Sequence, residues 1–288
     1  MQLDHNEVGR YWNDSADVWT KLVRAGYDVY RDYLNTPAFF GLLPNAAKLA
    51  GLDIGCGEGH NTRLLAKLGA RMTAVDIAAI FIGHAIRTEI DEPLNIDYVL
   101  ASAVELPFAD ASFDFATGFM SFMDVPETDC VLAESWRVLR PGGFLQFSIS
   151  HPCFDTPHRR NVRDALGRTY AIEVGDYFQT REGEIDEWLF TAAPRQVRQG
   201  LRKFRIPRFT RTLSQWLNLL TDTGFLLERM EEPRPSDETV AACPALQDAQ
   251  VVSYFLHLRV RKPAADRLVN MPGDDPDVAD ATTAEGRS

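Results

Sequence analysis

A chain of 288 residues with 45% hydrophobic and 25% charged side chains can bury a sizeable core in one large domain, or one domain carrying insertions. Its formal net charge of −11 removes any general attraction to phosphate backbones, which disfavours nucleic acid as a partner. The four cysteines, Cys56, Cys130, Cys153 and Cys243, show no CxxC spacing, which argues against a zinc ribbon or a disulfide framework and for a reducing compartment.

The opening MQLDHNEVGR lacks the basic and apolar regions of a signal peptide, and no apolar run approaches the about 18 residues of a membrane helix. A soluble cytoplasmic protein without membrane contact is therefore expected. From residue 5 to 35, Val8, Tyr11, Trp12, Val18, Trp19, Leu22, Val23, Tyr27 and Tyr30 recur at mixed helical spacing, which predicts one or two helices ahead of the main sheet. Strand and helix periods then alternate. KLAGLDIG reads as a strand, HNTRLLAKLG as a helix ending at Gly69, RMTAVDI as a second strand, and residues 78–89 as a helix. IDYVLAS and SFDFATGFMS read as strands three and four, residues 127–139 as a helix stopped by Pro141-Gly142-Gly143, and FLQFSIS as strand five. Such alternation predicts a doubly wound, mainly parallel sheet.

The alternation breaks at His151. Residues 151–211 read as a loop-rich insertion with two strand-like pieces, TYAIEVGDYF and EIDEWLF. TLSQWLNLLTDTG, FLLERMEE and VVSYFLHLRVRKP then supply a helix and two last strands. Residues 264–288 hold six acids against two arginines and predict a disordered acidic tail.

The stretch LDIGCGEGH, residues 52–60, joins the first strand to a helix, where glycines allow close backbone approach to a ligand. A dinucleotide fingerprint would place a third glycine at position 60, where this chain has His60. Asp53 and Glu58 flank the loop, and carboxylates there would repel a phosphate. Asp76 ends the second strand, where an acid can accept both hydroxyls of a ribose. The pattern favours a cationic nucleoside without phosphate, and S-adenosylmethionine has that chemistry.

LDIGCGEG, AVDI, ASAVELPFADASFDF and RVLRPGGFLQFSI run in order over residues 50–150, and together they resemble the class I S-adenosylmethionine-dependent methyltransferases of the small-molecule type. The resemblance implies an α/β fold: a doubly wound, mainly parallel, seven-stranded Rossmann-like sheet. An N-terminal helical lid (1–45) would precede a methyltransferase domain (46–263) that carries a substrate-cap insertion at about 151–211. It implies S-adenosylmethionine as cofactor, held by Asp53, Gly55, Cys56 and Gly57, with Asp76 on the ribose and Ile77 on the adenine. Ser102 and Ala103 would meet the adenine edge, although position 102 commonly carries an acid in that family. Met120 would lie under the cofactor, or else fill the core, and Ser121 would border the acceptor.

Methyl transfer from a sulfonium needs alignment more than acid–base groups, so the absence of a triad or metal cluster says little against it. His151, at the end of strand five, is a candidate general base or a structural histidine of the turn before Pro152. Tyr177 and Trp188 of the insertion are candidates for an acceptor pocket, or for a self-packed hairpin. Seven basic residues between Arg195 and Arg211, without an acid among them, either balance an acidic surface or contact RNA, an acidic protein or an anionic substrate. A small-molecule acceptor is the expected partner; an RNA or protein methyltransferase, or a non-catalytic cofactor-binding protein, is the alternative.

Overall fold

The computed structural model describes residues 3–264. Seven strands form the central sheet: β1 (Ala50–Ile54), β2 (Arg71–Asp76), β3 (Asp97–Leu100), β4 (Phe113–Phe119), β5 (Leu139–Ser150), β10 (Leu226–Glu231) and β11 (Phe255–Arg261). Their spatial order is β10-β11-β5-β4-β1-β2-β3. All neighbours from β3 to β5 pair in parallel, and only β11 runs against the rest. The doubly wound, mainly parallel seven-stranded sheet expected from the alternation is present.

Helices α3 (His60–Lys67), α4 (Ala79–Asp91), α5 (Thr128–Val138) and α7 (Leu213–Asp222) supply the crossovers and flank the sheet. Strands buried on both faces read as continuous apolar runs, and β1 and β4 do so because both lie in the middle. One face of the core gathers Leu52, Phe122, Leu132, Phe147 and Trp216; the other gathers Leu65, Met72, Phe115 and Phe144. The chain leaves β1 towards β2 and β3, then returns to the opposite side of β1 as β4. That reversal makes the carboxyl ends of β1 and β4 the switch point of the sheet, where ligands of such sheets bind.

Two expectations need correction. Pro141-Gly142-Gly143 does not separate α5 from β5; β5 already pairs at Leu139, opposite Phe113, and resumes with Phe144 opposite Phe115. Residues 140–143 bulge out of the ladder between these two pairs, because Pro141 has no N–H to offer it. The insertion holds four strands, not two. β6 (His158–Arg163) pairs with β7 (Thr169–Gly175), and β8 (Glu182–Trp188) pairs with β9 (Phe204–Phe209), both antiparallel. The short α6 (Arg195–Arg198) lies in the connection of the second hairpin, and α8 (Asp237–Ala242) follows β10.

The N-terminal segment divides in two. α1 (His5–Arg24) starts at a capping box between Asp4 and Glu7 and ends with Lys21 and Arg24, which suits the helix dipole. It crosses the open end of the sheet and packs on α4 and β9. A π-helical turn (Arg31–Asn35) and α2 (Thr36–Leu42) follow, and these pack on the sheet itself: Phe39 meets Phe119 edge-on at 5.3 Å, and its carbonyl accepts from Gln146. The acidic tail expected at 264–288 lies, apart from Ala264, outside the described residues.

Aromatic rings join α1 to the second hairpin. Trp19 lies 5.2 Å from Trp12, 5.4 Å from Trp188, 5.0 Å from Phe190 and 4.9 Å from Phe204, ring centre to ring centre. Trp19→Ala should lower unfolding free energy by about 3 kcal/mol, the low end for a large aromatic truncated in a packed cluster. Urea denaturation measures that loss, and limited proteolysis should then cut first within 182–209.

Candidate functional site

A cavity of about 530 Å3 opens at the switch point, within the about 300–1,000 Å3 usual for small-molecule sites. Its floor is the loop after β1, its sides are the ends of β2 and β4, and its roof is α1 with the β8–β9 hairpin.

The floor is fixed from beneath. Asp53 is 2% exposed, and its two oxygens accept hydrogen bonds from Thr62 Oγ1 (2.5 Å) and Thr117 Oγ1 (2.8 Å). One side chain of β1 thereby holds α3 and β4. Burial raises its pKa, while the two hydroxyls oppose the rise. Gly55 and Cys56 donate their N–H groups to the carbonyl of Val75 on β2, so the loop begins as a continuation of the sheet. Gly55 has φ +74°, and a Cβ there would collide with Ser121 Cβ. Gly57, at φ +55°, faces open space. The first glycine thus lets two loops touch, and the second keeps the floor of the cavity bare.

Asp76 stands at the wall, 9% exposed, with one carboxylate oxygen accepting from Gly57 N and the other from Ala78 N, both at 2.8 Å. Two backbone donors aim this carboxylate while leaving lone pairs for a ligand. Burial outweighs those hydrogen bonds and pushes its pKa up to about 6. Ile77 beside it touches α1 at Gly9, where a Cβ would come within 3.0 Å of the Ile77 side chain.

Of the residues singled out from sequence, Asp53, Gly55, Cys56, Gly57, Asp76, Ile77, Ser102, Ala103, Met120, Ser121 and Trp188 all line this one cavity. Their surroundings refine the reading. The hydroxyl of Ser121 donates to the carbonyl of Ile54 at 2.7 Å, so it clamps the floor loop to the end of β4. Met120 adopts φ +53°, a conformation that costs a non-glycine residue roughly 1 kcal/mol or more. Its N–H is held by the carbonyl of Ser148 at 3.0 Å. Burial raises the Cys56 thiol well above its ordinary pKa, with Asp76 and Asp53 adding to the rise. Glu58 is paired with Arg24 at 2.9 Å, so its charge is largely answered within the chain.

The structure does not bring His151 or Tyr177 to the cavity lining. His151 is 3% exposed; its Nε2 lies 2.6 Å from Glu232 Oε1, and its Nδ1 accepts from Cys153 N at 3.2 Å. One ring nitrogen is therefore committed to the turn that follows β5 and the other to Glu232, just past β10. Tyr177 accepts from Leu213 N at 2.8 Å and braces the start of α7. Strand order correctly placed His151 near a strand end; the direction of the side chain was invisible.

Two residues at the cavity lacked a role in the sequence reading. Arg31, on the π-helical turn, lines the end where Glu58 follows the glycine loop. Asp124, in the helical turn Phe122–Asp124 after β4, is 6% exposed and lines the opposite part with Arg208. The only sequence signal for Asp124 was a lone acid in the apolar run FMSFMDV. Three of the seven basic residues in the stretch that contains Arg208 pair with acids: Arg208 with Asp155 (2.5 Å), Arg205 with Glu187 (3.2 Å) and Arg202 with Asp14 (3.6 Å). Among the described residues, no group of three or more His, Cys, Asp or Glu is disposed to hold a metal ion, and no helix is long and apolar enough to cross a membrane.

Comparison with known proteins agrees with this geometry. A family model described as "Methyltransferase domain" matches residues 52–147. The chain is 33% identical over 204 residues to a ubiquinone biosynthesis O-methyltransferase of Nitrosococcus oceani, covering 65% of this chain and 80% of that protein. It is 30% identical over 234 residues to a ubiquinone/menaquinone biosynthesis C-methyltransferase of Nitrobacter hamburgensis, covering 77% of this chain and 81% of that one. A crystal structure of an S-adenosylmethionine-dependent methyltransferase from Mesorhizobium loti superposes with a TM-score of 0.63 at 26% identity, covering 78% of this chain and 96% of that chain.

Gly55→Ala combines left-handed strain with a collision against Ser121. We expect it to cost about 1–3 kcal/mol of stability and to disorder the floor of the cavity. Thermal unfolding checks the first expectation. Gly57→Ala keeps the strain without the collision and should be the milder of the two.

Proposed function

The chain belongs to the class I S-adenosylmethionine-dependent methyltransferases, and from that premise we propose that it methylates a small molecule seated in the roofed part of the cavity. One observation carries the proposal: the glycine floor, Asp76 and the aromatic roof of α1 and the β8–β9 hairpin enclose a single continuous space. A substrate that must fit under that roof is small, and the relatives named above carry the names of quinone-biosynthesis enzymes.

The residues present fit the cofactor. Asp76, aimed by two N–H groups and open to the cavity, accepts the ribose hydroxyls; Ile77 covers the adenine, and Ser102 and Ala103 meet its edge. The bare backbone at Gly57 leaves room for the methionine portion beside Gly55, Cys56 and Asp53. Arg31, at the same end, holds the amino-acid carboxylate. When bound, S-adenosylmethionine supplies a methyl group on a positively charged sulfur, and transfer is an in-line displacement. The chain's own contribution is to hold the acceptor beneath Trp188 and Trp12, in line with that methyl, and to keep water out.

Arg202, Arg205 and Arg208 of the basic stretch pair with acids of the same chain, which counts against RNA as the acceptor. Incubation with methyl-labelled S-adenosylmethionine and, separately, a low-mass cell extract, total RNA and total protein should label only the low-mass fraction. Label in RNA or protein would overturn the proposal.

The Asp76 assignment has its own pH signature. Ribose hydroxyls donate to an ionised carboxylate, so affinity for S-adenosylhomocysteine should fall as pH drops through about 6 and Asp76 gains a proton. Calorimetry across that range should show the fall in the wild type. Asp76→Asn should bind more weakly throughout, with this pH dependence gone.

A further inference from the structure

Among the carboxylates that line the cavity, Asp124 differs in its partners. Asp53 is satisfied by two threonines, Asp76 by two backbone donors and Glu58 by Arg24. Asp124 is buried to a similar degree, yet among the described residues no donor hydrogen-bonds its carboxylate. A buried carboxylate without a partner is costly, and such groups in native sites serve a ligand or a reaction. It sits in the turn that follows Met120 and Ser121 and lines the same cavity as Asp76.

We propose that Asp124 is the group that orients the acceptor and takes its proton, and that the acceptor is a neutral hydroxyl compound with an apolar or aromatic body. This rests on the reading of the cavity as a methyl-transfer site. The apolar body follows from the apolar residues that line the same cavity as Asp124, among them Trp12, Met123, Val125, Trp188 and Ile206. The neutral hydroxyl follows from charge. Arg208 of β9 lies beside Asp124, and the sulfonium must lie in line with the acceptor, so an ammonium group would meet positive charge on two sides. An anionic acceptor would meet the carboxylate itself.

In the proposed step, the acceptor O–H bond breaks and its proton passes to a carboxylate oxygen of Asp124. The oxygen lone pair forms the new C–O bond while the methyl–sulfur bond breaks and its electrons return to sulfur. A cation, a carboxylate and a neutral alcohol thus become a neutral thioether, a neutral acid and a methyl ether, and the charges balance.

The surroundings suit a proton acceptor that works near neutrality. Burial pushes the pKa of Asp124 up to about 7; Arg208 opposes the rise and Asp155, in the loop after β5, adds to it. Asp155 pairs with Arg208 at 2.5 Å, and Asp186 of β8 lies 3.7 Å from the same guanidinium. Arg208 is therefore a positioning residue, held by two acids at the edge of the site. His5 of α1 and Glu127 of the loop after Asp124 pair with each other at 3.3 Å.

The test uses the full chain with sinefungin, a cofactor analogue whose amine carries the positive charge in place of the sulfonium. Sinefungin binding is measured first, and its absence would count against the cofactor site, not against Asp124. On the sinefungin complex, calorimetry compares naphthol, naphthoate and naphthylmethylammonium as probes. Naphthol should bind best, and its affinity should rise as pH passes through about 7 and Asp124 ionises. Asp124→Asn, with sinefungin affinity unchanged, should weaken naphthol about tenfold and abolish that rise. Asp155→Asn removes a neighbouring negative charge and frees Arg208 for Asp124, so the rise should move to lower pH. No naphthol binding by the wild-type complex, a preference for the ammonium or the carboxylate, or an unchanged pH response in Asp124→Asn overturns the proposal.

Discussion

Asp53 ties three elements together with one buried carboxylate: it belongs to β1, one oxygen takes the hydroxyl of Thr62 in α3, and the other takes that of Thr117 in β4. A carboxylate in this position would be costly without both hydroxyls, and with them it fixes the strand, the helix and the neighbouring strand at one point. The glycine loop spans the short gap between that point and the start of α3. Its left-handed residues, its contact with Ser121 and its N–H bonds to Val75 all depend on β1, β4 and α3 keeping this spacing. Asp76 in turn is aimed by the N–H of Gly57 from the same loop. The floor and the wall of the cavity are thus consequences of one hydrogen-bonded carboxylate.

The roof obeys different physics. α1 and the β8–β9 hairpin lie more than a hundred residues apart in sequence, and an aromatic cluster centred on Trp19 joins them. Ring packing in edge-on and tilted pairs holds the roof, whereas hydrogen-bonded hydroxyls hold the floor beneath. A ligand must enter a space closed by α1 on one side and the hairpin on the other.

Much of this was legible before the structure. The strands β1 to β5 and helices α3 to α5 follow from strict alternation of period, because a parallel sheet demands it of the local sequence. Asp76 and the glycines were legible because a shared cofactor imposes the same residues at the same strand ends. The acids of LDIGCGEGH pointed to the right ligand for a partly wrong reason: Asp53 is a brace and Glu58 is paired with Arg24, so neither presents a free charge to the ligand. The strands β6 and β9 were missed because HRRNVR and FRIPRF hide their period under arginine, and Pro207 argues against a strand that in fact lies at an edge. Asp124, Arg31 and Arg208 were not assigned because the cavity assembles them from a turn, a π-helical turn and a hairpin. No local pattern records that meeting.

The buried acids also explain why the same groups both weaken the empty fold and suit the ligand. Asp76 and Asp124 have folded pKa values of about 6 and about 7, above the ordinary carboxylate value. A raised pKa means that stability present at low pH is lost as pH rises towards those values, because the folded state binds the proton more tightly than the unfolded chain. Near neutrality the empty protein therefore bears the cost of charges that its own burial disfavours. A ligand that brings hydroxyl donors to these carboxylates removes part of that cost.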